Sequence, residues 1–401
     1  MKQVTENAKC TGCLACRAKC PNNCIDIATD DEGFPIPQID ESRCSNCGLC
    51  TLCCPENAKN DAPINNCRRV IGARLKDDDK LSKSASGGFF IGLASKTLET
   101  PGNAVFGCAL DENLVARHIC VTDINEAEAL QSSKYVQSNV GNAYSQAKAF
   151  LSEGKSVLFS GTPCQVAGLY AYLGKNYDNL STADLICHGV PSPLLFKRYT
   201  DRLTKKYSGK IVDVNLRDKH KFGWGVNTGV KIKTNTGTKN KVIPRQLDPY
   251  ISSFLDGFIF RESCYSCRYS CGRRVSDFSL GDFWGVDNSH PEHYDARGVS
   301  VVLVNSEKGE RILEEILDDF ETFETTFDIA ASRNSNLVRP SPRPALRNEA
   351  YKEIKNETTD IFDTIAYKIT PKTKAVAYLR WITPSFAKKI LKKTRGFIRR
   401  R

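Results

Sequence analysis

The sequence predicts an α+β protein made of a small cysteine-rich N-terminal unit, a larger α/β-type body and a basic helical C-terminal tail. Three observations predict this organisation. One cysteine spacing occurs twice near the N-terminus, segments with strand and helix periodicity alternate through the middle of the chain, and basic residues crowd its last part. A chain of 401 residues also exceeds the ~100–200 residues of a typical domain, so several units are expected.

We place the boundaries of these parts where the composition changes. The cysteine-rich unit is expected over residues 1–60, and a polar linker without sustained apolar periodicity over residues 61–83. The body is expected over residues 84–330 and the tail over residues 331–401.

The net charge of +11 comes from one end of the chain. Residues 365–401 contain seven Lys, five Arg and no acidic residue, so the rest of the chain is nearly neutral. A basic field over the whole surface, which would indicate nucleic-acid binding, is therefore not expected.

Cysteines are unusually frequent, and eleven of the eighteen lie between Cys10 and Cys67. The N-terminus lacks the pattern of a secretion signal, and no run of ~18 apolar residues occurs. We therefore expect a cytoplasmic protein, in which thiols stay reduced and clustered cysteines bind metal or take part in redox chemistry.

The N-terminal unit contains an internal duplication. Residues 10–21 read Cys-x2-Cys-x2-Cys-x3-Cys-Pro, and residues 44–55 repeat this spacing. In this pattern three cysteines wrap one [4Fe-4S] cluster and the fourth binds the other cluster, as in bacterial ferredoxins. The predicted ligands of the first cluster are Cys10, Cys13, Cys16 and Cys54, and those of the second are Cys20, Cys44, Cys47 and Cys50.

Zinc is the alternative metal for paired cysteines. A zinc site needs four thiolates from two pairs and has no use for a third cysteine followed by Cys-Pro, so the repeat favours iron-sulfur clusters. Cys24, Cys53 and Cys67 lie outside the repeat and are expected to be small buried thiols.

The first half of the body alternates strand-like and helix-like segments. A helix is predicted over residues 89–98, strands over 104–110 and 114–122, and a helix over 142–151. Strands at 157–161 and 183–187 each lead into a helix, at 166–173 and 193–207. Ligands gather beyond the carboxyl ends of such strands, where Cys164 and Cys187 are expected to lie.

The second half of the body is predicted to be more strand-rich. Strands are expected at 211–216 and over 226–244, with a hairpin turn at residues 234–237. The remaining predictions are a helix at 248–260, strands at 278–280 and 299–305, and a helix at 309–320.

An ordered series of short motifs runs from Ser84 to Gly285, accompanied by Trp224, and the likeness that they carry covers residues 84–305. The motifs are Ser84-Ala-Ser-Gly-Gly88, Ser133-Lys-Tyr135, Ser160-Gly-Thr-Pro-Cys-Gln165, Cys187-His-Gly-Val-Pro191, Arg217-Asp-Lys219, Cys264-x2-Cys267 and Gly281-Asp-Phe-Trp-Gly285. Together they resemble the coenzyme F420 hydrogenase/dehydrogenase beta subunit family, in a bacterial form with a two-cluster ferredoxin domain in front. The resemblance implies a domain that holds FAD and an iron-sulfur cluster and exchanges electrons with a deazaflavin, coenzyme F420, or with another partner.

The resemblance implies a third [4Fe-4S] cluster, for which the matching motifs offer Cys164, Cys187, Cys264 and Cys267. Cys271 competes for one of these places. Separate loops can converge on one cubane, and a Cys-x2-Cys pair supplies two ligands at once. The alternative is that Cys164 and Cys187 are ordinary buried thiols.

The resemblance also implies a flavin site. Its candidate residues are Ser86, Gly87, Gly88, Lys134, Arg217 and Lys219. The Ser-Gly-Gly segment precedes a helix and would expose backbone N–H groups to a phosphate, although a helix cap explains it equally well. The basic residues would meet phosphates or the flavin ring, and their alternative is a solvated surface. Trp224 and Trp284 fit core aromatic residues better than flavin platforms, and His188 is expected only to position a neighbouring ligand.

The C-terminal tail combines apolar and basic residues around Pro371 and Pro384. This pattern predicts an amphipathic segment that contacts an anionic membrane face, and the alternative is a disordered solubilising end. The protein is thus expected in the cytoplasm and at the inner face of the membrane.

The leading functional hypothesis is a flavin-dependent iron-sulfur oxidoreductase. Electrons would pass between the cluster pair, the third cluster and FAD, and from there to a substrate or to a redox partner. A second hypothesis is an electron-transfer subunit that has no substrate of its own, and a third is a scaffold that has lost the flavin.

Overall fold

The computed structural model of the protein describes residues 3–57, 65–354, 360–365 and 369–382. The α-helices are α1 Ala15–Lys19, α2 Leu49–Leu52, α3 Asp78–Lys83, α4 Phe89–Leu98, α5 Ala143–Ser152, α6 Pro163–Leu173, α7 Pro193–Tyr207, α8 Pro249–Leu255, α9 Val286–Ser289, α10 Glu307–Ile316, α11 Phe327–Arg333, α12 Arg347–Ile354, α13 Ile361–Ile365 and α14 Pro371–Ile382.

The strands form one large sheet and three small ones. They are β1 Ile25–Thr29, β2 Pro35–Ile39, β3 Asn65–Asn66, β4 Arg69–Leu75, β5 Ala104–Leu110, β6 Ala116–Val121, β7 Val157–Gly161, β8 Leu180–Leu185, β9 Lys210–Asn215, β10 Thr228–Thr234, β11 Gly237–Ile243, β12 Arg273–Arg274, β13 Phe278–Asp282, β14 Ser300–Val304 and β15 Phe320–Thr325. The mixture of helices and sheets confirms the predicted α+β class.

The N-terminal unit is a β1–β2 hairpin with two short helices. The antiparallel hairpin pairs Ile25 with Ile39, and both side chains point into a core made largely of cysteines. So small a unit buries little apolar surface, and we expect its stability to depend on what the cysteines bind.

The body is built on an eight-stranded mixed sheet with the order β15-β4-β14-β13-β8-β7-β5-β6. Its centre is parallel, because β13, β8, β7 and β5 run in one direction, and its edges are antiparallel. Alternate residues of β5 face opposite layers: Val105 packs with α4, whereas Phe106 packs with α5 and α6. The predicted helix at 89–98 and the predicted strands at 104–110 and 157–161 are confirmed.

Residues 69–83 do not form the expected linker. Strand β4 lies inside the large sheet between β14 and β15, and α3 follows it. The strand is buried on both faces, so its apolar residues do not alternate with polar ones and the strand pattern was missed.

A second, three-stranded sheet of β9, β10 and β11 packs on α7 and α8. The predicted hairpin turn is confirmed, because Thr234 pairs with Gly237 at the end of β10 and β11.

Part of the expected tail belongs to this same core. Tyr351 of α12 and Phe362 of α13 are 4% and 0% exposed and pack with residues of α7 and α8. Helix α14 follows, and the predicted amphipathic residues 383–401 lie outside the described residues. Across the described residues, no helix has the length and apolar character required to cross a bilayer.

Candidate iron-sulfur centres and adjoining cavity

The first predicted set of cysteines lies at the junction of the N-terminal unit and the body. Cys10, Cys13, Cys16 and Cys54 are all buried and close enough for their charges to interact. Burial raises the pKa of Cys13 to about 12, and the charges of Cys10 and Cys54 add to this effect. Neutral thiols are therefore favoured until a cation compensates thiolate charge.

The second predicted set surrounds a small cavity of about 20 Å³. Its lining includes Cys20, Cys44, Cys47 and Cys50, together with the apolar side chains of Ile25 and Ile39. Four thiols around one apolar-walled cavity are the donor set of a [4Fe-4S] cluster, so these residues fit the predicted group.

Cys24 also lines this cavity, although sequence reasoning excluded it from the ligands. Its Sγ lies 3.3 Å from that of Cys20. The interaction with Cys20 and burial raise the pKa of Cys24 to about 12. Cys53 is likewise buried, and its thiol donates to the Cys50 carbonyl at 3.5 Å. Only the spacing of the repeat separates these two cysteines from the eight expected ligands.

A third set of cysteines comes together from three parts of the body. Cys164 lies in the first turn of α6, which begins with a capping box between Thr162 and Gln165. Cys187 follows β8, and Cys264 lies in the 3-10 helix Glu262–Ser266. Cys267 comes directly after that helix. The local structure therefore delivers each thiol from the end of a strand or helix.

The charges of these four thiols interact. Burial raises the pKa of Cys164 strongly, and the charges of Cys267 and Cys187 raise it further. Cys187 interacts with Cys264 and Cys267 in the same way. The thiol of Cys271 instead donates to the carbonyls of Arg268 and Arg273, at 3.5 and 3.3 Å. The donor set thus fits the ligands expected from the resemblance.

Within the described ranges, no three Cys, His, Asp or Glu side chains form a group that could hold a single metal ion. The donor chemistry and the burial of the three cysteine sets instead suit iron-sulfur clusters.

The first and third sets are neighbours across α6. A Cβ built on Gly168 would lie 3.2 Å from the Cys13 Sγ and 2.7 Å from the Tyr144 hydroxyl. Gly168 lies one helical turn after Cys164, on the same face of α6. The missing side chain therefore lets the Cys10–Cys16 loop approach the part of α6 that carries Cys164.

Arg261 reinforces this junction. Its guanidinium donates to the carbonyl of Cys10 at 2.6 Å, to that of Pro35 at 3.1 Å and to the side-chain oxygen of Gln137 at 3.1 Å. Arg261 precedes Cys264 of the third set by three residues. Its side chain therefore connects the loop that carries the first set to the segment that carries Cys264.

A cavity of about 470 Å³ adjoins the third set. Cys187 lines it on one side, and the start of α4 lines it on another. Of the predicted flavin-site residues, Ser86, Gly88, Lys134 and Arg217 belong to its lining, whereas Gly87 and Lys219 do not. The size and the lining are typical of a pocket for a cofactor or a small molecule.

Arg217 is fully engaged in the cavity wall. It pairs with both carboxylate oxygens of Asp282, at 2.6 and 2.7 Å. Its other N–H groups donate to the hydroxyl of Tyr135 and to the carbonyls of Ala85 and Gly225. All five donors of the guanidinium are thus used within the protein, and its role here is to shape the wall.

Asp282 also receives the indole N–H of Trp224 at 2.7 Å. The Trp224 ring stacks on Trp284, with ring centres 5.1 Å apart and planes 8° from parallel. The sequence motif around Asp282 does not reveal the role of this residue, because its partners lie 58 and 65 positions away.

The two predicted lysines are held by backbone carbonyls. Lys134 donates to the carbonyls of Ala129, Gln131 and Ser132. Lys219 donates to those of Leu81, Ser86 and Arg297. Burial lowers the pKa of each lysine to about 8, and the charge of Arg217 contributes in the case of Lys219. Direct phosphate contact by either side chain stays a prediction.

The Ser86–Gly88 segment turns into α4 against the large sheet. The Gly87 N–H donates to the Ser300 hydroxyl at 2.9 Å, and a Cβ on Gly87 would lie 2.1 Å from the Ala73 carbonyl oxygen. Gly88 has a φ of +79° at the N-cap. The first N–H groups of α4 have no carbonyl partner within the helix, and the residues that carry them line the cavity.

Several lining residues were missed by sequence reasoning. Asn334 and Asn336 come from the segment assigned to the tail, and the side-chain oxygen of Asn336 lies 2.8 Å from the Nδ1 of His188. His118 lies on β6, and its ring stacks on Phe159. No local pattern marks these residues, because they meet the cavity only through the tertiary fold.

Residues 154–326 match the family model for the C-terminal part of the beta subunit of coenzyme F420 hydrogenase/dehydrogenase. Residues 9–58 match the 4Fe-4S dicluster domain. Among solved structures, a chain of the xenon-derivatised F420-reducing [NiFe] hydrogenase complex from Methanosarcina barkeri aligns with 16% identity and a TM-score of 0.45, over 76% of this chain and 93% of that chain. No curated protein matches the sequence.

Proposed function

This chain belongs to the coenzyme F420 hydrogenase/dehydrogenase beta subunit family, and from that premise we propose that it is a flavin-dependent iron-sulfur oxidoreductase. Its N-terminal dicluster domain makes it an iron-sulfur electron-transfer protein. We propose in addition that electrons pass between this domain, a third cluster and FAD, and that FAD exchanges them with a substrate or carrier.

The observation that carries this proposal is the position of Cys187. It belongs to the third cysteine set and also lines the large cavity. The third set in turn adjoins the first set through Gly168 and Cys13. The second set includes the exposed Cys47. On the proposed path, electrons pass between the second set, the first set, the third set and the cavity.

The cavity suits FAD by its size and chemistry. The free N–H groups at the start of α4 would receive phosphate oxygens, and Trp284 and the Arg217–Asp282 pair would shape the wall around the ring. When bound, FAD would exchange an electron pair with a substrate and single electrons with clusters. The chain's own part is to bind and orient the FAD and to exclude water from the cavity.

Three further elements of the proposal rest on the resemblance or on the sequence. The carrier at the cavity is coenzyme F420 or another small molecule. A redox partner protein meets the second cysteine set. The basic segment within residues 365–401 contacts an anionic membrane face from the cytoplasm.

Anaerobic purification with iron, sulfide and flavin analysis tests the cofactor content. We expect about 12 irons and about one FAD per chain. A content of about 8 irons would remove the third cluster, and the absence of FAD from acid extracts would favour the flavin-free scaffold.

Paired cysteine variants test the third set. Cys267→Ser is expected to lower the iron content by about four per chain, whereas Cys271→Ser should leave it unchanged. The two residues lie four positions apart, which makes Cys271→Ser a matched control. The reverse result would show that Cys271, and not Cys267, is a ligand of the third cluster.

A second candidate function is an electron-transfer subunit without its own substrate. The observation in its favour is the apolar surface beside the second cysteine set, where Leu49 and Leu52 are 36% and 58% exposed. Such a surface suits contact with a partner protein. Reduction or oxidation of any small molecule by the purified chain would exclude this alternative.

A further inference from the structure

The three-stranded sheet carries an excess of positive charge. Its only charged residues are five exposed lysines and one exposed aspartate. They are Lys210, Lys231, Lys233, Lys239, Lys241 and Asp213. Within the described part of the chain, none of the five lysines has a side-chain hydrogen bond or an ion pair. By contrast, Arg202 on α7 is compensated by Asp360 and Asp363.

Protection of an exposed sheet edge explains only part of this charge. Strand β11 is an edge strand, and lysines at such edges discourage pairing with other chains. However, Lys231 and Lys233 lie on β10, which is paired on both sides by β9 and β11. They lie on the solvent-facing side of the sheet, where Lys231 stands opposite Asp213 of β9 and Lys233 stands opposite Lys210.

Helix α14 adds apolar side chains next to this sheet. It packs against the 3-10 helix Arg245–Leu247, which comes directly after β11. Val376, Tyr378 and Leu379 of α14 are 40%, 60% and 58% exposed. Lys372 and Lys374 precede these apolar side chains on the same helix and are exposed. Basic and large apolar side chains thus occur together on neighbouring elements.

We propose that these elements form a basic face that docks on an anionic lipid bilayer. The basic face consists of the five sheet lysines and the exposed residues of α14. Its lysines complement anionic headgroups, and its apolar side chains can enter the boundary between headgroups and acyl chains.

The chain that continues from α14 supports a bilayer as the occupant. Residues 383–401 contain eight basic residues and no acidic residue. A flat anionic surface can accommodate both the folded face and the chain that follows it. The inference goes beyond a tail contact, because it assigns a direct share of the binding to lysines of the folded body.

Docking on this face would orient the large cavity. Arg245 lines the cavity and lies in the short helix that contacts α14, and the cavity-lining Leu255 is 39% exposed. A residue of the cavity wall therefore lies in the element that α14 contacts, and docking would bring this part of the wall towards the headgroups.

Co-sedimentation of the full-length, cluster-loaded protein with phosphatidylcholine–phosphatidylglycerol vesicles tests the proposal, with pure phosphatidylcholine vesicles as reference. Lys239→Glu/Lys241→Glu and Lys231→Glu/Lys233→Glu are each expected to weaken binding at least ~20-fold, because each basic side chain near an anionic surface is worth about fivefold. Lys239→Arg/Lys241→Arg should bind as the parent protein does. Lys148→Glu/Lys175→Glu is the matched control, because both lysines are exposed on the α5–α6 side of the body.

A tail-neutral variant separates the two sources of charge. In this full-length variant glutamine replaces Lys388, Lys389, Lys392, Lys393, Arg395, Arg399, Arg400 and Arg401. We expect it to keep a weaker, salt-sensitive binding to the mixed vesicles, with unchanged iron and flavin content.

Three results would overturn the proposal. If the tail-neutral variant lost all binding to the vesicles, the membrane contact would belong to the tail alone. If both sheet variants bound the vesicles as the parent protein does, the sheet lysines would take no part in the contact. If an acidic ferredoxin binds the tail-neutral variant through these lysines and the vesicles do not, the face belongs to a protein partner. None of these results alters the cofactor content, so the proposed oxidoreductase function is tested separately.

Discussion

At the scale of single residues, Asp282 organises the cavity wall. Its carboxylate compensates the buried charge of Arg217 and accepts the indole N–H of Trp224. Arg217 is 2% exposed, so without Asp282 its charge would be buried and uncompensated. Removal of one partner of a buried ion pair is far more costly than loss of a surface pair.

We expect Asp282→Asn to lower the free energy of unfolding by about 3–5 kcal/mol and to reduce the bound FAD. Differential scanning calorimetry and flavin extraction measure the two effects. Asp287→Asn is the matched control, because Asp287 is exposed and should change neither quantity beyond about 0.5 kcal/mol. Equal stability of the two variants would contradict the structural role of Asp282.

His118 is a second residue whose environment has a measurable consequence. The Ser160 carbonyl can only accept a hydrogen bond, so Nε2 carries the proton and Nδ1 accepts from the Ser138 hydroxyl. Burial lowers the pKa of His118 to about 4. The imidazole therefore stays neutral in the folded protein at pH values where it is charged in the unfolded chain.

This difference predicts a pH-dependent stability. Between the unfolded pKa of about 6.5 and the folded pKa of about 4, the unfolded chain binds the extra proton, so stability falls as the pH falls. The loss is complete below the folded pKa and amounts to about 3 kcal/mol. Denaturant titrations at pH 7 and pH 5 should show a smaller loss for His118→Gln than for the parent protein. An equal loss would mean that other groups cause the dependence.

At the scale of elements, α6 connects two cysteine sets. Its capping box places Cys164 at the first turn, and Gly168 one turn later leaves room for Cys13. Glycine within a helix costs about 1 kcal/mol relative to alanine, so its presence needs a packing reason. The contact with Cys13 and Tyr144 supplies that reason.

Gly168→Ala is expected to destabilise the holoprotein by about 1–3 kcal/mol in spite of the better helix propensity. The added Cβ would collide with the Tyr144 hydroxyl and displace Cys13. Thermal unfolding under anaerobic conditions and iron analysis measure the effects on stability and on cluster retention.

Gly225→Ala is the control for this substitution, because a Cβ there has no neighbour closer than 3.5 Å. It should retain the parent iron content. If Gly168→Ala were more stable than the parent protein, the close approach of α6 to the Cys10–Cys16 loop would not contribute to stability.

At the scale of the whole molecule, arginines join the N-terminal unit to the body. Arg261 binds carbonyls of that unit, and Arg347 on α12 binds the Glu32 carboxylate and the Phe260 carbonyl. Arg347 is 1% exposed, so a helix from the expected tail helps to hold the ferredoxin-type unit in place. The cysteine sets thus keep their positions through contacts distant in sequence.

We expect Arg261→Met to lower the melting temperature of the holoprotein and to increase proteolytic cleavage of the N-terminal unit. The substitution removes the Arg261 donor from two buried acceptors and one partly buried acceptor, and each buried group left unsatisfied costs about 1–3 kcal/mol. Arg343→Met is the control, because the partly exposed Arg343–Glu262 pair should contribute at most about 1 kcal/mol. Indistinguishable melting temperatures would show that Arg261 does not hold the units together.

Features that depend on short spacing could be predicted from the sequence alone. Helix 89–98, strand 157–161, helix 193–207 and the hairpin turn at 234–237 match the structure, because periodicity and turn residues act over a few positions. The same holds for the duplicated cysteine repeat, whose match to a 4Fe-4S dicluster domain confirms it.

The buried strand, the C-terminal helices and the long-range contacts of the cavity became clear only from the folded structure. Strand β4 was missed because burial on both faces removes the alternation that marks a strand, and α12 because its partners lie in other elements. The Arg217–Asp282 pair and the approach of Cys13 to Gly168 join residues 65 and 155 positions apart. Such contacts arise from packing, which a local pattern does not encode.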